Sequence, residues 1–242
     1  MYDLANFRLS DLIHCGSAIR RLHAGAGSQE EAAGRMVRYL YDTLEIGGTG
    51  QKACALVRCF KSCHYSELDS DLQAFARRQF GAAASSPEQL CLALLATAGD
   101  RSEWNLRKHS SKHKVLLLGP SAPDAPPSLP WQVVREMGLD AQGLLHSEPD
   151  ELATLEQRSY GVFHIFDAAG SPYIPDQGEF VEAAGVRSVI GIGGMLSSGS
   201  IFELMLFTKV PVHRDTAELF RTLALNMKVA FLSLAGQPTF AR

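Results

Sequence analysis

The first 45 residues carry apolar side chains at helical spacing. Leu9, Leu12, Ile13, Gly16 and Ile19 recur at three- and four-residue steps. Side chains at these steps share one face of a helix, so the pattern predicts an amphipathic first helix that ends near residue 22.

A second helix is predicted to begin at Ser28, because Glu31 follows it at the spacing of a capping box. The side chains expected to face inward from this helix are apolar: Ala33, Met36, Val37, Leu40, Tyr41 and Leu44. Together the two helices form a predicted N-terminal helical segment over residues 8–45.

Helix start signals also occur in the middle of the chain. Ser66 is a candidate N-cap residue, followed by apolar residues at helical spacing. Pro87 stands at the favoured first position of a helix whose body, residues 90–96, is apolar on every side and is therefore predicted to be buried. Two shorter helices are predicted after a proline-rich segment that is expected to be a surface loop: residues 131–137 and 148–157, after the loop at 121–130.

Several short apolar or β-branched segments predict strands: residues 53–61, 115–119, 160–167, 186–195 and 200–209. The last two flank Leu-Ser-Ser-Gly, which predicts a β-hairpin. Helices ahead of strands that recur through the rest of the chain predict an α+β fold, with the helices at one side of an antiparallel sheet. We interpret the proline-rich loop as an insertion and expect a single domain over residues 1–242, in which the sheet and its insertions occupy 53–209.

Residues 213–234 are predicted to form a long C-terminal helix with two apolar rows. The first row has heptad spacing, and the second lies beside it at Leu219, Leu223 and Ala230. One row suffices to cover a sheet, so the other indicates a partner, either the first helix or a second subunit. We expect a homodimer through the terminal helices, with these interface residues: Leu12, Ile19, Phe220, Ala224, Met227 and Phe231.

Composition and charge narrow the class of protein. A formal net charge of −3 and a pI near 6.2 provide no electrostatic reason to expect binding to nucleic acid or to an anionic membrane. No segment approaches the roughly 18–20 uninterrupted apolar residues that span a bilayer. The N-terminus lacks the basic and apolar regions of a secretory signal, so a cytoplasmic protein is expected.

Two groups of cysteines and histidines are close enough in sequence to be candidate metal ligands. Cys54, Cys59 and Cys63 are close in sequence, but on a regular strand Cys54 and Cys59 would point to opposite faces, so we expect reduced, metal-free cysteines. His109 and His113 have the spacing of two ligands on one helix face, yet no glutamate lies between them and the neighbouring lysines would repel a cation. The alternatives for this pair are an anion contact or an exposed loop.

Several stretches resemble a bacterial GAF subfamily found at the N-terminus of signalling proteins. They include Ala-Leu-Val-Arg at residues 55–58, the segments 92–100 and 103–107, the segment 162–175, and the region from 179 through the terminal hairpin and helix. The resemblance spans nearly the whole chain. It implies a six-stranded antiparallel sheet, N- and C-terminal helices packed on one face, and loops and short helices that enclose a pocket on the other.

In this chain the pocket-covering segments implied by the resemblance are residues 101–114 and 169–184. They and the adjoining strand contain the candidate ligand-binding residues Trp104, Arg107, His109, His113, His164, Tyr173 and Phe180. Aromatic walls with a few polar groups are typical of small-molecule sites, and the cationic and imidazole side chains favour a ligand with a carboxylate or phosphate. The resemblance leaves the cofactor unknown, with haem or another tetrapyrrole as options.

The resulting functional hypothesis is a regulatory sensor domain and not an enzyme. A small molecule would occupy the pocket, and the C-terminal helix would relay its binding to an output domain in a longer protein or to a partner in trans. The alternative is a ligand-free scaffold that only mediates dimerisation or other protein interactions. Some GAF proteins reduce methionine sulfoxide through cysteines, but these cysteines have no evident acidic or histidine partner in the sequence.

Overall fold

A six-stranded antiparallel sheet organises the chain. The computed structural model describes residues 1–84, 86–118, 129–136, 138, 161–174 and 176–241. Its strands are β3 (Cys54–His64), β4 (Leu90–Gly99), β5 (Val115–Leu117), β6 (Val162–Ile165), β7 (Ser188–Met195) and β8 (Ile201–Thr208), in the spatial order β5-β4-β3-β8-β7-β6. Two short strands, β1 (Tyr2–Asp3) and β2 (Leu44–Glu45), pair in parallel outside this sheet.

The helices are α1 (Leu9–Arg21), α2 (Gln29–Thr43), α3 (Ser70–Phe80), α4 (Leu129–Glu136) and α5 (Arg214–Leu232). Single turns of 3₁₀ helix lie at Tyr65–Glu67, Gly81–Ala84, Ser102–Trp104 and Arg107–His109, and a π-helical turn lies at Gln177–Glu182. Within the described ranges, no helix has both the length and the apolar character needed to cross a membrane.

The two faces of the sheet are covered differently. Helices α1, α2 and α5 pack on one face in a core that includes Met36, Leu40, Phe220 and Met227. The opposite face carries a second core, which includes Trp104, Phe163 and Val181. Helix α4 and loops cover this face. This arrangement confirms the predicted α+β fold and the predicted placement of the terminal helices.

Most predicted elements are present, with bounds that differ by a few residues. The hairpin is β7 and β8, and its connection is closed by a hydrogen bond from the Leu196 amide to the Ser200 carbonyl (2.8 Å). At α2 the Ser28 hydroxyl accepts from the Glu31 amide as predicted, but the Glu31 carboxylate accepts from the Gly27 amide. Helix α3 starts later than predicted, because Asp69 caps it in place of Ser66. The proline-rich segment up to residue 128 and the helix predicted at 148–157 lie outside the described residues.

The helix predicted over residues 90–96 is wrong, because this segment is strand β4. It pairs with β3 on one side and β5 on the other, and all ten of its residues are buried. A strand covered on both faces needs apolar side chains at every position. Such a run has no alternation to distinguish it from a buried helix.

The predicted orientation of the cysteines on β3 is also wrong. Cys54 and Cys59 both lie in the core on the helix-covered face. The pairing of β3 shifts register between Cys54 and Leu56 against β8, and again between Cys59 and Phe60 against β4. Against β8 the extra residue is Ala55, so β3 changes the face of its side chains between Cys54 and Cys59. Against β4 the extra residue is Leu95 of β4, which leaves the facing of β3 unchanged.

The predicted dimer residues pack inside the subunit. Both apolar rows of α5 are covered by α1 and by the sheet, and the six named residues are at most 5% exposed: Leu12, Ile19, Phe220, Ala224, Met227 and Phe231. The helices approach closely at Gly16, where an added Cβ would lie 2.5 Å from Asn226 Nδ2. The first of the two alternative partners, α1, therefore accounts for the second row, and the interface assignment of these six residues is corrected.

Candidate functional site

A cavity of about 550 Å³ lies on the sheet face opposite α1 and α5. Its floor is formed by alternate residues of the two central strands, Leu56, Arg58 and Phe60 on β3 and Met205 and Phe207 on β8. Its walls come from residues 101–113 on one side and 172–180 on the other. These are the two covering segments expected from the sequence, apart from residue 175, which lies outside the described part.

Aromatic side chains form much of the wall. The ring centroids of Trp104 and Phe180 are 5.7 Å apart, and those of Phe180 and Phe207 are 4.9 Å apart, both in edge-to-face arrangements. The Trp104 carbonyl accepts a 2.8 Å hydrogen bond from Thr97 Oγ1. An added Cβ at Gly99 would lie 2.8 Å from Trp104 Cε3, so this glycine lets the indole pack directly on β4. The indole is therefore held in place by the sheet itself.

Arg58 is the buried charge of the cavity floor. It is 7% exposed, and its Nη2 donates to Ser110 Oγ at 2.8 Å while its Nη1 donates to the Lys112 carbonyl at 3.2 Å. Its Nε has no hydrogen-bond partner, and no carboxylate in the described ranges forms an ion pair with it. Burial without an opposite charge lowers the pKa of Arg58 to about 10, so the side chain stays cationic at neutral pH.

The segment that supplies Ser110 to the cavity is fixed from outside by ion pairs. Arg107 donates from Nε and Nη2 to both carboxylate oxygens of Glu30 on α2, at 2.9 and 3.2 Å, and from Nη2 to Asp69 at 2.7 Å. Lys114 pairs with Asp71 at 3.0 Å. These pairs hold residues 107–114 against α2 and α3. Arg107, predicted to contact a ligand, is thus placed away from the cavity lining.

His113 lies in the wall at the turn held by these ion pairs. It has a left-handed backbone, with φ of 59°, the one non-glycine residue of the described chain in this region. Although part of its side chain is exposed, the concave surroundings remove water from the ring, and this loss of hydration together with the Arg58 charge lowers its pKa. The imidazole is therefore neutral at pH 7 and can accept as well as donate a hydrogen bond.

Exposed ion pairs join the two walls. Lys112 Nζ lies 2.8 Å from Asp176 Oδ2 and 3.3 Å from Glu179 Oε2. Arg101 donates to the Glu179 carbonyl at 2.9 Å and stacks over Trp104. The acidic residues at this rim therefore already have cationic neighbours in the protein.

Two predicted residues are not in the cavity lining. His109 is exposed on the 3₁₀ turn Arg107–His109. His164 on β6 lies on the side of the sheet where α5 begins, and its Nε2 is 2.7 Å from the Val212 carbonyl. Phe163, its neighbour, faces the other side and contacts Tyr173. The alternation of β6 thus excludes His164 from the wall.

The structure brings together Trp104, His113, Tyr173 and Phe180 from the predicted set. Arg58 and the other floor residues of β3 and β8 were not predicted from the sequence. A signal for Arg58 was present, because it is a lone charge within the apolar segment 53–60. A charge on a strand with both neighbours apolar either pairs with a carboxylate or faces a cavity.

The five cysteines are free and buried. Burial raises the pKa of Cys15, Cys54, Cys63 and Cys91 to about 12, and it raises that of Cys59 as well. All five are thiols at neutral pH, the form that neither attacks an electrophile nor binds a metal. In the described part of the chain, no group of three or more His, Cys, Asp or Glu side chains is placed to hold a metal ion.

Comparison with known proteins identifies the fold. Neither a scan against protein-family models nor a search of curated proteins found a match. The solved structure of the GAF domain from a phosphoenolpyruvate-protein phosphotransferase of Coxiella burnetii aligns with this chain at a TM-score of 0.51 and 13% sequence identity. The alignment covers 94% of this chain and 96% of that chain. The chain therefore has a GAF-like fold, as the sequence resemblance implied.

Proposed function

We propose that this GAF-like chain is a sensory input domain, regulatory rather than catalytic, which binds a small molecule in the cavity between the sheet and residues 101–113 and 172–180. The observation that carries the proposal is the cavity itself, about 550 Å³ with aromatic walls and a lining surface that is mainly apolar. Its volume and lining are those of sites for small organic molecules. The solved GAF domain belongs to a phosphotransferase, and a regulatory role for this chain is consistent with such a fold.

A route from the cavity to the C-terminal helix supports a relay function. Met205 and Phe207 contribute to the cavity floor, and β8 leads directly through residues 209–213 into α5. This connection is tied to the sheet, because Ser188 Oγ accepts from the Val212 amide at 3.0 Å and the Val212 carbonyl contacts His164. A ligand that displaces β8 would therefore move the start of α5, and with it any output domain that follows.

Self-association of the outer surfaces of α1 and α5 is part of the proposal. Apolar side chains remain exposed there although the inner rows are buried: Leu9, Ile13, Leu225, Val229 and Leu232. Leu225, Val229 and Leu232 have the four- and three-residue steps of one helical stripe. A homodimer would cover these side chains and would place the two signalling helices side by side.

Filling the cavity tests the binding function. Leu116 lines the cavity from edge strand β5. Leu117 packs on the opposite side of the sheet, against a hydrophobic cluster that includes Leu72 and Phe75 of α3. A ligand that binds the folded state raises the melting temperature, so a thermal-shift screen of nucleotides, amino acids, organic acids and haem identifies small molecules that stabilise the wild type. Leu116→Trp should abolish this stabilisation, because the larger side chain fills the cavity.

The matched variant Leu117→Trp should retain the response. A ligand that stabilises both variants as strongly as the wild type would contradict binding in this cavity. An absorption spectrum of the purified protein tests the tetrapyrrole option directly.

A further inference from the structure

We infer that the cavity selects a monocarboxylate with an apolar or aromatic body, and that Arg58 holds its carboxylate. This inference rests on the proposed binding function and names the ligand class of the same site. It starts from the unused donors of Arg58. A guanidinium has five N–H donors, and two hydrogen bonds to the 110–112 segment leave Nε–H and further Nη–H groups without a protein acceptor, on a residue that lines the cavity. A carboxylate matches this edge through two parallel hydrogen bonds.

The protein supplies no anion to Arg58 from the described residues. Asp176 and Glu179 at the rim are bound by Lys112 and by Arg101, and Glu103 is exposed to solvent. Arg58 is thus the one charged residue of the lining that is buried, and its charge has no internal counterion. A buried charge without a partner is costly, and an anionic ligand would remove that cost on binding.

Glu203 is the acidic residue nearest in the sheet register, yet it does not neutralise Arg58. It lies on β8 opposite Phe60, two pairs along from the Arg58–Met205 pair and on the same face of the sheet. Both of its carboxylate oxygens lack hydrogen-bond partners, and complete burial raises its pKa well above the ordinary value. Burial favours the neutral form of this carboxyl, and no ion pair joins it to Arg58 in the described chain, so it provides no paired carboxylate for the positive charge of the floor.

The charge and the walls together define the ligand class. One buried guanidinium balances one negative charge, which favours a monocarboxylate over a phosphate dianion. Ser110 is 3% exposed and positioned by Arg58, so it presents its hydroxyl beside the guanidinium. The lining also includes Trp104, Phe180 and Phe207, which suit an apolar or aromatic body.

Four probes that share one phenylalkyl body test the inference: 3-phenylpropionate, 3-phenylpropan-1-ol, 3-phenylpropylamine and 2-phenylethyl phosphate. Binding is measured by titration calorimetry on the wild type, Arg58→Met and Arg58→Lys. The wild type should bind the carboxylate at least about tenfold more tightly than the alcohol, the amine or the phosphate. Arg58→Met should abolish this preference, and Arg58→Lys should keep part of it. The matched control Arg21→Met removes an exposed arginine of α1 and should leave the preference unchanged.

The outcomes separate this inference from the proposed function. Equal binding of carboxylate and alcohol, or a preference that survives Arg58→Met, would overturn the inference while leaving a small-molecule site. Tighter binding of the phosphate would overturn the choice of a monocarboxylate. Failure of every probe, together with failure of the screen above, would count against the binding function itself.

A measurement on the ligand-free protein provides an independent test. Removing a buried charge that has no counterion should leave the melting temperature of Arg58→Met equal to or higher than that of the wild type. A clear fall in the melting temperature would mean that the arginine serves the packing of residues 110–112, and it would overturn the assignment of Arg58 as the anion anchor.

Discussion

Arg107 and Arg58 are two buried arginines that differ in their partners. Both are nearly inaccessible to water, but Arg107 contacts two carboxylates whereas Arg58 contacts none. Arg107 joins Glu30 of α2 to Asp69, the cap of α3, and so fixes the position of the cavity wall. Its role is to position residues 107–114 for the site.

Arg107→Met should lower the free energy of unfolding by about 2 kcal/mol or more, because it leaves two partly buried carboxylates without their cation. Urea denaturation measures this change. Lys112→Met is the control, since it removes an exposed lysine that also has two acidic partners and should leave the free energy of unfolding almost unchanged. Equal effects of the two substitutions would contradict a structural role specific to Arg107.

Glu203 is an acid placed where the fold provides no partner for it in the described chain. It is fully buried in the sheet, and burial alone raises its pKa well above 4.5. In the unfolded chain the carboxyl ionises near its ordinary pKa, whereas in the folded protein it stays protonated to a higher pH. The contribution of this group to stability is therefore fully present below pH 4.5 and is lost as the pH rises toward its folded pKa.

Glu203→Met should raise the free energy of unfolding by about 1–3 kcal/mol at pH 4, because an apolar side chain of similar size removes the cost of an unpaired buried acid. The gain over the wild type should grow by about 1.4 kcal/mol for each pH unit above 4.5 until the folded pKa is reached. Urea denaturation from pH 4 to 8 measures the slope. The exposed control Glu182→Met should show no such slope, and a gain independent of pH would contradict the assignment.

At the scale of elements, α5 is the clearest case of a pattern with two explanations. Its double apolar row predicted a partner, and the partner is α1 of the same subunit. Substitutions at Phe220 or Met227 would therefore disrupt the core of the subunit. The surface available to a second subunit consists of Leu225 and Val229, which are 44% and 47% exposed, with Leu232 and the outer side of α1.

The double variant Leu225→Asp/Val229→Asp should convert a homodimer into monomers, because charged side chains cannot be buried in an apolar helix interface without a partner. Light scattering coupled to size-exclusion chromatography measures the mass. The control Ser70→Asp/Gln79→Asp adds the same charge at exposed polar positions of α3 and should remain dimeric. A wild-type monomer, or a dimer that persists in the first variant, would contradict the proposed interface.

At the scale of the whole molecule, the cavity exists because segments distant in sequence meet over the sheet. Its floor comes from β3 and β8, which are some 150 positions apart, and its walls come from 101–113 and 172–180. Ion pairs from Lys112 to Asp176 and Glu179 connect the walls directly. The cavity and the start of α5 therefore depend on the same sheet.

The sequence by itself determined the elements whose signals are local. Amphipathic spacing identified α1, α2 and α5, and two strands around a short polar turn identified the terminal hairpin, because helical and strand periodicities are properties of neighbouring residues. Local pattern sufficed for these elements. The segments that cover the cavity, with the aromatic residues Trp104, Tyr173 and Phe180, were instead implied by the resemblance to the GAF family.

Only the tertiary structure decided how the remaining groups are used. It placed residues 90–99 in a central strand, because a segment buried on all sides shows no period. It turned His164 toward α5, committed Arg107 to Glu30 and Asp69, and left Arg58 without an acidic partner in the described chain. The function of an ionisable side chain depends on its burial and on the charges around it. Those surroundings are assembled from residues far apart in sequence, so they become visible only in the folded chain.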